Sequence, residues 1–281
     1  MYSKREREVV IMTGTGTQSD PYIPSDWAEL VTAAGEGEKY VKLPDGALWD
    51  LNDVYPEGAP TVEMYCNEID GNGAEIRNVR CLGAVFAPGS YCLHNITIKN
   101  LKVINCYLTN ATFFSGRTNS YIRLSLEDCE AAAELYGNSL FFDIDGCSIS
   151  ADQSSFRCHF AGNSRLNTAD SGTLTLSNSR IDFTGESSAG GIIYYPVLNS
   201  SLITGEISGN SSYAVFADSS DASYIDCTFD GFSSVSYGGI KPVVINTDKT
   251  GSATVSSSFI QASSLQIRDI DWLHSHGFPC R

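Results

Sequence analysis

Along much of this chain apolar and polar positions alternate with a period of two, slip by one residue, and resume. The stretch ITIKNLKVINCYLTN, residues 96–110, shows the pattern: Leu101 and Val103 alternate, the phase slips at Ile104-Asn105, and Cys106 and Leu108 follow. Side chains on a strand alternate between faces, so such a slip re-aims the strand while keeping its inward face. The same template, with a small residue at the mark, recurs as Leu124, Leu126, Cys129 and Ala131, and as Phe142, Ile144, Cys147 and Ile149. It returns as Leu174, Leu176, Ser179 and Ile181, and more loosely as Ala74, Ile76, Val79 and Cys81. Further marks fall at Gly205, Cys227 and Ser258. A fixed local motif at variable spacing predicts stacked coils joined by loops of differing length. The fold expected is therefore a right-handed parallel β-helix. Each slip is read as a corner between two short strands, and Val103, Leu126, Ile144 and Leu176 are expected in one inward column.

The ends depart from the template. PSDWAELVTAAG reads as a helix capped by Ser25 or Asp26 and stopped by Gly35, with Trp27, Leu30, Val31 and Ala34 on its apolar face. This helix is expected to cover the open first coil. KYVKLPDGALWDLNDVYP reads as a hairpin-like passage into the coils. Near the other end, Leu265, Ile267, Ile270 and Trp272 repeat the template too soon for a full coil. The division expected is an N-terminal segment over 1–59, a β-helix over 60–272 and a tail over 273–281.

Composition narrows the function classes. Charged residues are 18% of the 281, and the net charge is −15. That balance opposes a nucleic-acid partner, which needs clustered Lys and Arg. The nine cysteines contain no CxxC pair and are odd in number, so they read as small core fillers rather than a disulfide or zinc framework. MYSKREREVVIMTGTG has no apolar run of signal-peptide length, and no stretch approaches a membrane span. The sequons at Asn95, Asn110, Asn199 and Asn210 read as turn or edge asparagines.

The coils from about 60 to 272 resemble the pectin-lyase-like parallel β-helix superfamily. GTGTQSDPYIPSDWAEL with YVKLPDGALWDLND is similar to the opening of β-helical proteins encoded in phages and prophages of gut bacteria. The resemblance implies a non-enzymatic virion component of a tail, baseplate or surface appendage. It implies a homotrimer that contacts other virion proteins and attaches to a host-surface polysaccharide. The location implied is the virion, reached by lysis without a signal peptide.

The alternative reading is an enzyme that degrades an acidic glycan, which needs paired carboxylates at a controlled separation. The NTD, DD, GHG and RIK motifs of polygalacturonase-like relatives are not intact here. The acidic pairs are Asp143 with Asp145, and Asp226 with Asp230. Asp143 and Asp145 are expected to point outward, opposite inward Phe142 and Ile144, with Arg157 and His159 approaching them across a loop. A second alternative is a glycan-binding adhesin, using Tyr194, Tyr195 or Tyr237 in long intervals, although these segments read equally as the third strands of their coils or as faces toward a neighbouring subunit. His274 and His276 form an HxH pair that three copies could bring to one axis. The acidic pairs are read in preference as solvated outer-face charge, and the tail histidines as surface residues. No catalytic, cofactor-binding or metal-ligating residue is assigned.

Overall fold

The computed structural model describes residues 13–209, apart from 53, 91, 117–121, 146, 169–171, 190–192, 195 and 200. Beyond them it describes the backbone of the strands Tyr213–Phe216, Tyr224–Asp230, Ser234–Tyr237, Val244–Asp248 and Thr254–Ser256. The chain winds as a parallel β-helix of about six turns. One coil runs through Ile96–Lys99, Lys102–Thr109 and Thr112–Ser115 before returning at Ile122–Glu127. Each segment joins a different sheet, and every pairing between these strands is parallel.

Like residues stack from coil to coil. On the first sheet one inward column is Val41, Ile69, Ile98, Leu126, Ala151, Leu176 and Leu198. On the second it is Ile76, Val103, Ala131, Phe156, Ile181 and Ile203. All are buried. The single column expected for Val103, Leu126, Ile144 and Leu176 therefore divides. Leu126 and Leu176 share the first sheet, Val103 belongs to the second, and Ile144 follows the third-sheet strand Leu140–Asp143.

The slip has two structural origins. Between the first and second sheets the chain turns a corner on one left-handed residue: Asn100, Asp128, Gln153 and Asn178 all have φ between 49° and 52°. Asn72, also left-handed, precedes them at the same corner. Asparagine and aspartate tolerate this region better than most residues, which explains their recurrence. Inside the second sheet, Asn105 (φ 53°) makes a bulge instead, so that Ile104 and Asn105 together oppose Ala132. Asn78 (φ 59°) lies one coil earlier and donates its N–H to Ile104 O at 3.1 Å. The slip in residues 96–110 is thus a bulge within the strand Lys102–Thr109, not the expected corner.

Small residues suit the position after the corner because of backbone geometry. There Cys129, Ser154 and Ser179 stack, and their N–H groups point to hydroxyls on the next coil. Cys129 N donates to Ser154 Oγ at 3.1 Å, Ser154 N to Ser179 Oγ at 3.1 Å, and Ser179 N to Ser201 Oγ at 3.2 Å. The hydroxyls donate back to Asp152 O, Ser177 O and Asn199 O at 2.7–2.9 Å. This buried polar column leaves each of those N–H groups paired.

On the third sheet Phe86, Phe114 and Phe142 stack with centroid spacings of 5.8 Å. Phe113 and Phe141 stack beside them at 5.0 Å, and Phe156 meets Phe142 edge-on. The column ends where Asn167 stands in register with Phe142. Asn167 is fully buried; its Nδ2 donates to Tyr194 O (2.6 Å) and its Oδ1 accepts from Tyr194 N (3.0 Å). One side-chain amide thus replaces ladder hydrogen bonds where this five-stranded sheet gives way to a four-stranded one beginning at Ile193–Tyr194.

The helix Trp27–Ala34 covers the first coils as expected, with Asp26 as its cap: Asp26 Oδ1 accepts from Glu29 N, and Glu29 Oε2 from Ser25 N. It buries Trp27, Leu30, Ala33 and Ala34, leaving Val31 half-buried. Trp27 meets Phe86 edge-on, and Ala34 O accepts from Tyr65 N and Cys66 N. The expected hairpin after it is instead the first coil. Tyr40–Lys42 and Leu48–Asp50 lie on the first and second sheets, parallel to Glu68–Asp70 and Glu75–Arg77. Tyr22 pairs in parallel with Val41, so the entry segment adds a rung to the first sheet.

Candidate functional site

The proposed carboxylate cluster does not assemble. Asp143 ends its strand at 3% exposure, turned inward rather than outward. Its Oδ1 accepts from Asp145 N at 3.3 Å and from Thr168 Oγ1 at 3.5 Å, as an aspartate that closes a turn does. The expected alternation fails because the chain is turning: Phe141, Phe142 and Asp143 are all buried in succession, and Ile144 is buried too. Asp145 is half-buried.

Arg157 and His159 do share an outward face, on the second-sheet strand Ser155–Phe160, between buried Phe156, Cys158 and Phe160. His159 Nδ1 lies 3.0 Å from Thr184 Oγ1 on the next coil. Among the described residues no hydrogen bond or ion pair joins this face to Asp143. Tyr194, one of the tyrosines considered for glycan stacking, is a strand residue at 6% exposure on the four-stranded sheet that succeeds the third. The strands Tyr224–Asp230 and Ser234–Tyr237 carry Asp226, Asp230 and Tyr237, whose side chains lie outside the described structure, as do Tyr195, Trp272, His274 and His276.

The outer surface of the second sheet carries two exposed tyrosines that belong to no sequence motif. Tyr107 and Tyr136 are 40% and 38% exposed, with the Arg80 guanidinium 5.8 Å from the Tyr107 ring centroid. Tyr136 Oη donates to Glu134 Oε2 at 2.5 Å, which raises the Tyr136 pKa. Both tyrosines sit at outward positions of alternating strands, and that alternation was the available signal.

Two clefts open along the corner between the first and second sheets. The first, about 470 Å³, is lined by Asn72, Asn100, Lys102, Asp128 and Glu130 among others. Lys102 Nζ lies 3.4 Å from both Glu75 and Glu130, and the Glu130 carboxylate foremost raises the Lys102 pKa. The second, about 460 Å³, is lined by Gln153, Ser155, Arg157, Asn178, Arg180 and Asp182, with the Ser154 hydroxyl behind. Here Arg180 Nε donates to both Asp182 oxygens at 2.8–2.9 Å, and Thr204 Oγ1 bonds the same carboxylate.

The seven cysteines with described side chains are free and buried. Burial pushes the Cys66 and Cys129 thiols up to about 12 and Cys147 to about 11, and raises Cys81, Cys106 and Cys158 as well. They are core fillers, as the sequence pattern expects. Among the described residues no group of three His, Cys, Asp or Glu side chains is placed to hold a metal, and no helix is long and apolar enough to cross a membrane. Comparison with family models, curated proteins and solved structures returned no match to this chain.

Proposed function

We propose that this chain is a non-enzymatic structural component of a phage or prophage virion, in a tail, baseplate or surface appendage. It acts as a homotrimer that presents a rigid acidic surface to other virion proteins and to the host surface. The observation that carries the non-enzymatic part is the burial of Asp143 in a turn, away from the Arg157–His159 face. Two carboxylates facing one cleft are the minimum for glycoside hydrolysis by acid and base, and the first suspect is committed elsewhere. The virion part rests on the resemblance of the entry segment and coils to phage β-helices, and a rigid solenoid suits such a scaffold.

Mass by light scattering tests the assembly, and assay of reducing ends or unsaturated products from acidic glycans tests the chemistry. A trimer without depolymerase activity is expected. A strict monomer that cleaves an acidic glycan, losing activity in Asp143→Ala, would overturn the reading.

A further inference from the structure

The two corner clefts occupy equivalent places in the coil but differ in charge. In the first, one ammonium faces two lining carboxylates, Asp128 and Glu130, and is clamped between Glu75 and Glu130. In the second, two guanidiniums face one carboxylate. Asp182 engages only the Nε–H of Arg180, and Thr204 holds Asp182 from the next coil. Arg180 is thus aimed while its terminal nitrogens keep their donors. Arg157, on the coil before, is exposed, and its side chain makes no hydrogen bond or ion pair among the described residues. Arg180 stands in register with Ser155 and Arg157 with Asp182, so the two arginines are diagonal neighbours: their strands lie about 4.8 Å apart and they sit two residues apart along the strand. The lining itself therefore carries a net positive charge on a chain of −15, with the Asp152 carboxylate beside it bonded to Asn178.

We propose that the second cleft binds the carboxylate of an acidic saccharide, with Arg157 and Arg180 as its fork. Guanidinium groups recognise planar carboxylates through paired charge-assisted hydrogen bonds. Of the remaining lining, Gln153 and Ser155 supply neutral donors and acceptors suited to ring hydroxyls, and Asn178, whose Nδ2 donates to Asp152 Oδ1 at 2.9 Å, supplies its side-chain carbonyl. Every lining side chain is polar, so a peptide would find nowhere to bury an apolar anchor. The volume lies within the range of small-ligand sites, roughly 300–1,000 Å³. This deepens the host-attachment part of the reading above by naming a ligand class. Its test is direct binding, so its failure and the failure of the trimer are read separately.

Calorimetric titration of the full chain with a glucuronate-containing oligosaccharide, its neutral glucose counterpart and a glutamate-rich peptide decides it. Only the acidic saccharide is expected to bind, more weakly as salt rises. Arg157→Ala should weaken binding about tenfold or more, the scale of a lost hydrogen bond to a charged group. Arg157→Lys should recover part of it, and Lys102→Gln in the other cleft should leave it unchanged. The Arg157 side chain makes no hydrogen bond or ion pair among the described residues, so thermal unfolding of the variants should match the parent. No binding by the parent, equal binding of the neutral sugar, preference for the peptide, or full retention in Arg157→Ala would each overturn the proposal.

Discussion

A thiol packed between stacked coils has no water to stabilise its anion, so burial favours the neutral form. Cys66, Cys129 and Cys147 are held at about 11 to 12, while an unfolded thiol ionises near 8.5–9. The folded pKa is raised, so the stabilisation is complete below the unfolded value and is lost as pH climbs toward the folded one. Each such thiol should cost about 1.4 kcal/mol per pH unit across that window. Denaturant midpoints should therefore fall between pH 9 and pH 11, and thiol reagents at pH 8 should label these cysteines only after unfolding. A flat midpoint, or rapid labelling of Cys129 in the folded protein, would refute this. The role of the cysteines was readable because they recur at inward positions beside Ser179 and Ala131. The hydrogen-bonded column of Ser154, Ser179 and Ser201 was not readable, because the acceptor for each N–H belongs to a residue 22–25 positions away.

At the scale of the strand, one local signature concealed two structures. The residue before each of four marks, Asn78, Asn105, Asp128 and Asn178, is left-handed, so every one of these slips breaks the extended backbone, but the reading of each as a corner holds for only some of them. The slips at Asp128 and Asn178 are corners; that at Asn105 is a bulge against the following coil, and Asn78 interrupts its strand in register with Asn105. Both displace the alternation equally, and sequence alone does not separate them. The corner residues Asn72, Asn100, Asp128, Gln153 and Asn178 follow one another at 28, 28, 25 and 25 residues, a steadier period than the marks gave. The same limit explains Asp143: its inward turn depends on two consecutive phenylalanines filling the corner, which breaks the alternation that assigned it outward. Asn167 is the element-scale joint, because its amide pairs with both the N–H and the C=O of Tyr194. Asn167→Ala should leave two buried groups without that partner, at about 1–3 kcal/mol each. Asn167→Leu would extend the aromatic column yet carry the same penalty, so both variants should unfold at lower denaturant than the parent. Parent-like stability of Asn167→Leu would show that apolar stacking can replace the amide bridge.

For the whole molecule the governing quantity is charge. Each chain carries −15, and the described ion pairs, such as Lys99 with Glu68 and Lys102 with Glu130, are spent within the chain. A trimer therefore brings three like-charged bodies together, and the repulsion acts over the Debye length, about 10 Å at 0.1 M salt and 3 Å at 1 M. In the proposed trimer, exposed apolar side chains such as Leu48, Leu82 and Leu93 would offer contacts that salt does not weaken. Assembly driven by such contacts against a uniform negative field should strengthen with ionic strength. Sedimentation at fixed protein concentration should show the trimer fraction rising from about 0.05 M to about 0.5 M sodium chloride, the range over which screening becomes effective. Binding of an acidic saccharide to the Arg157 cleft should weaken over the same range, because there salt screens an attraction. Opposite salt dependences in one protein would locate assembly and ligand recognition on different surfaces. A trimer that dissociates as salt rises would instead place intersubunit ion pairs at its centre.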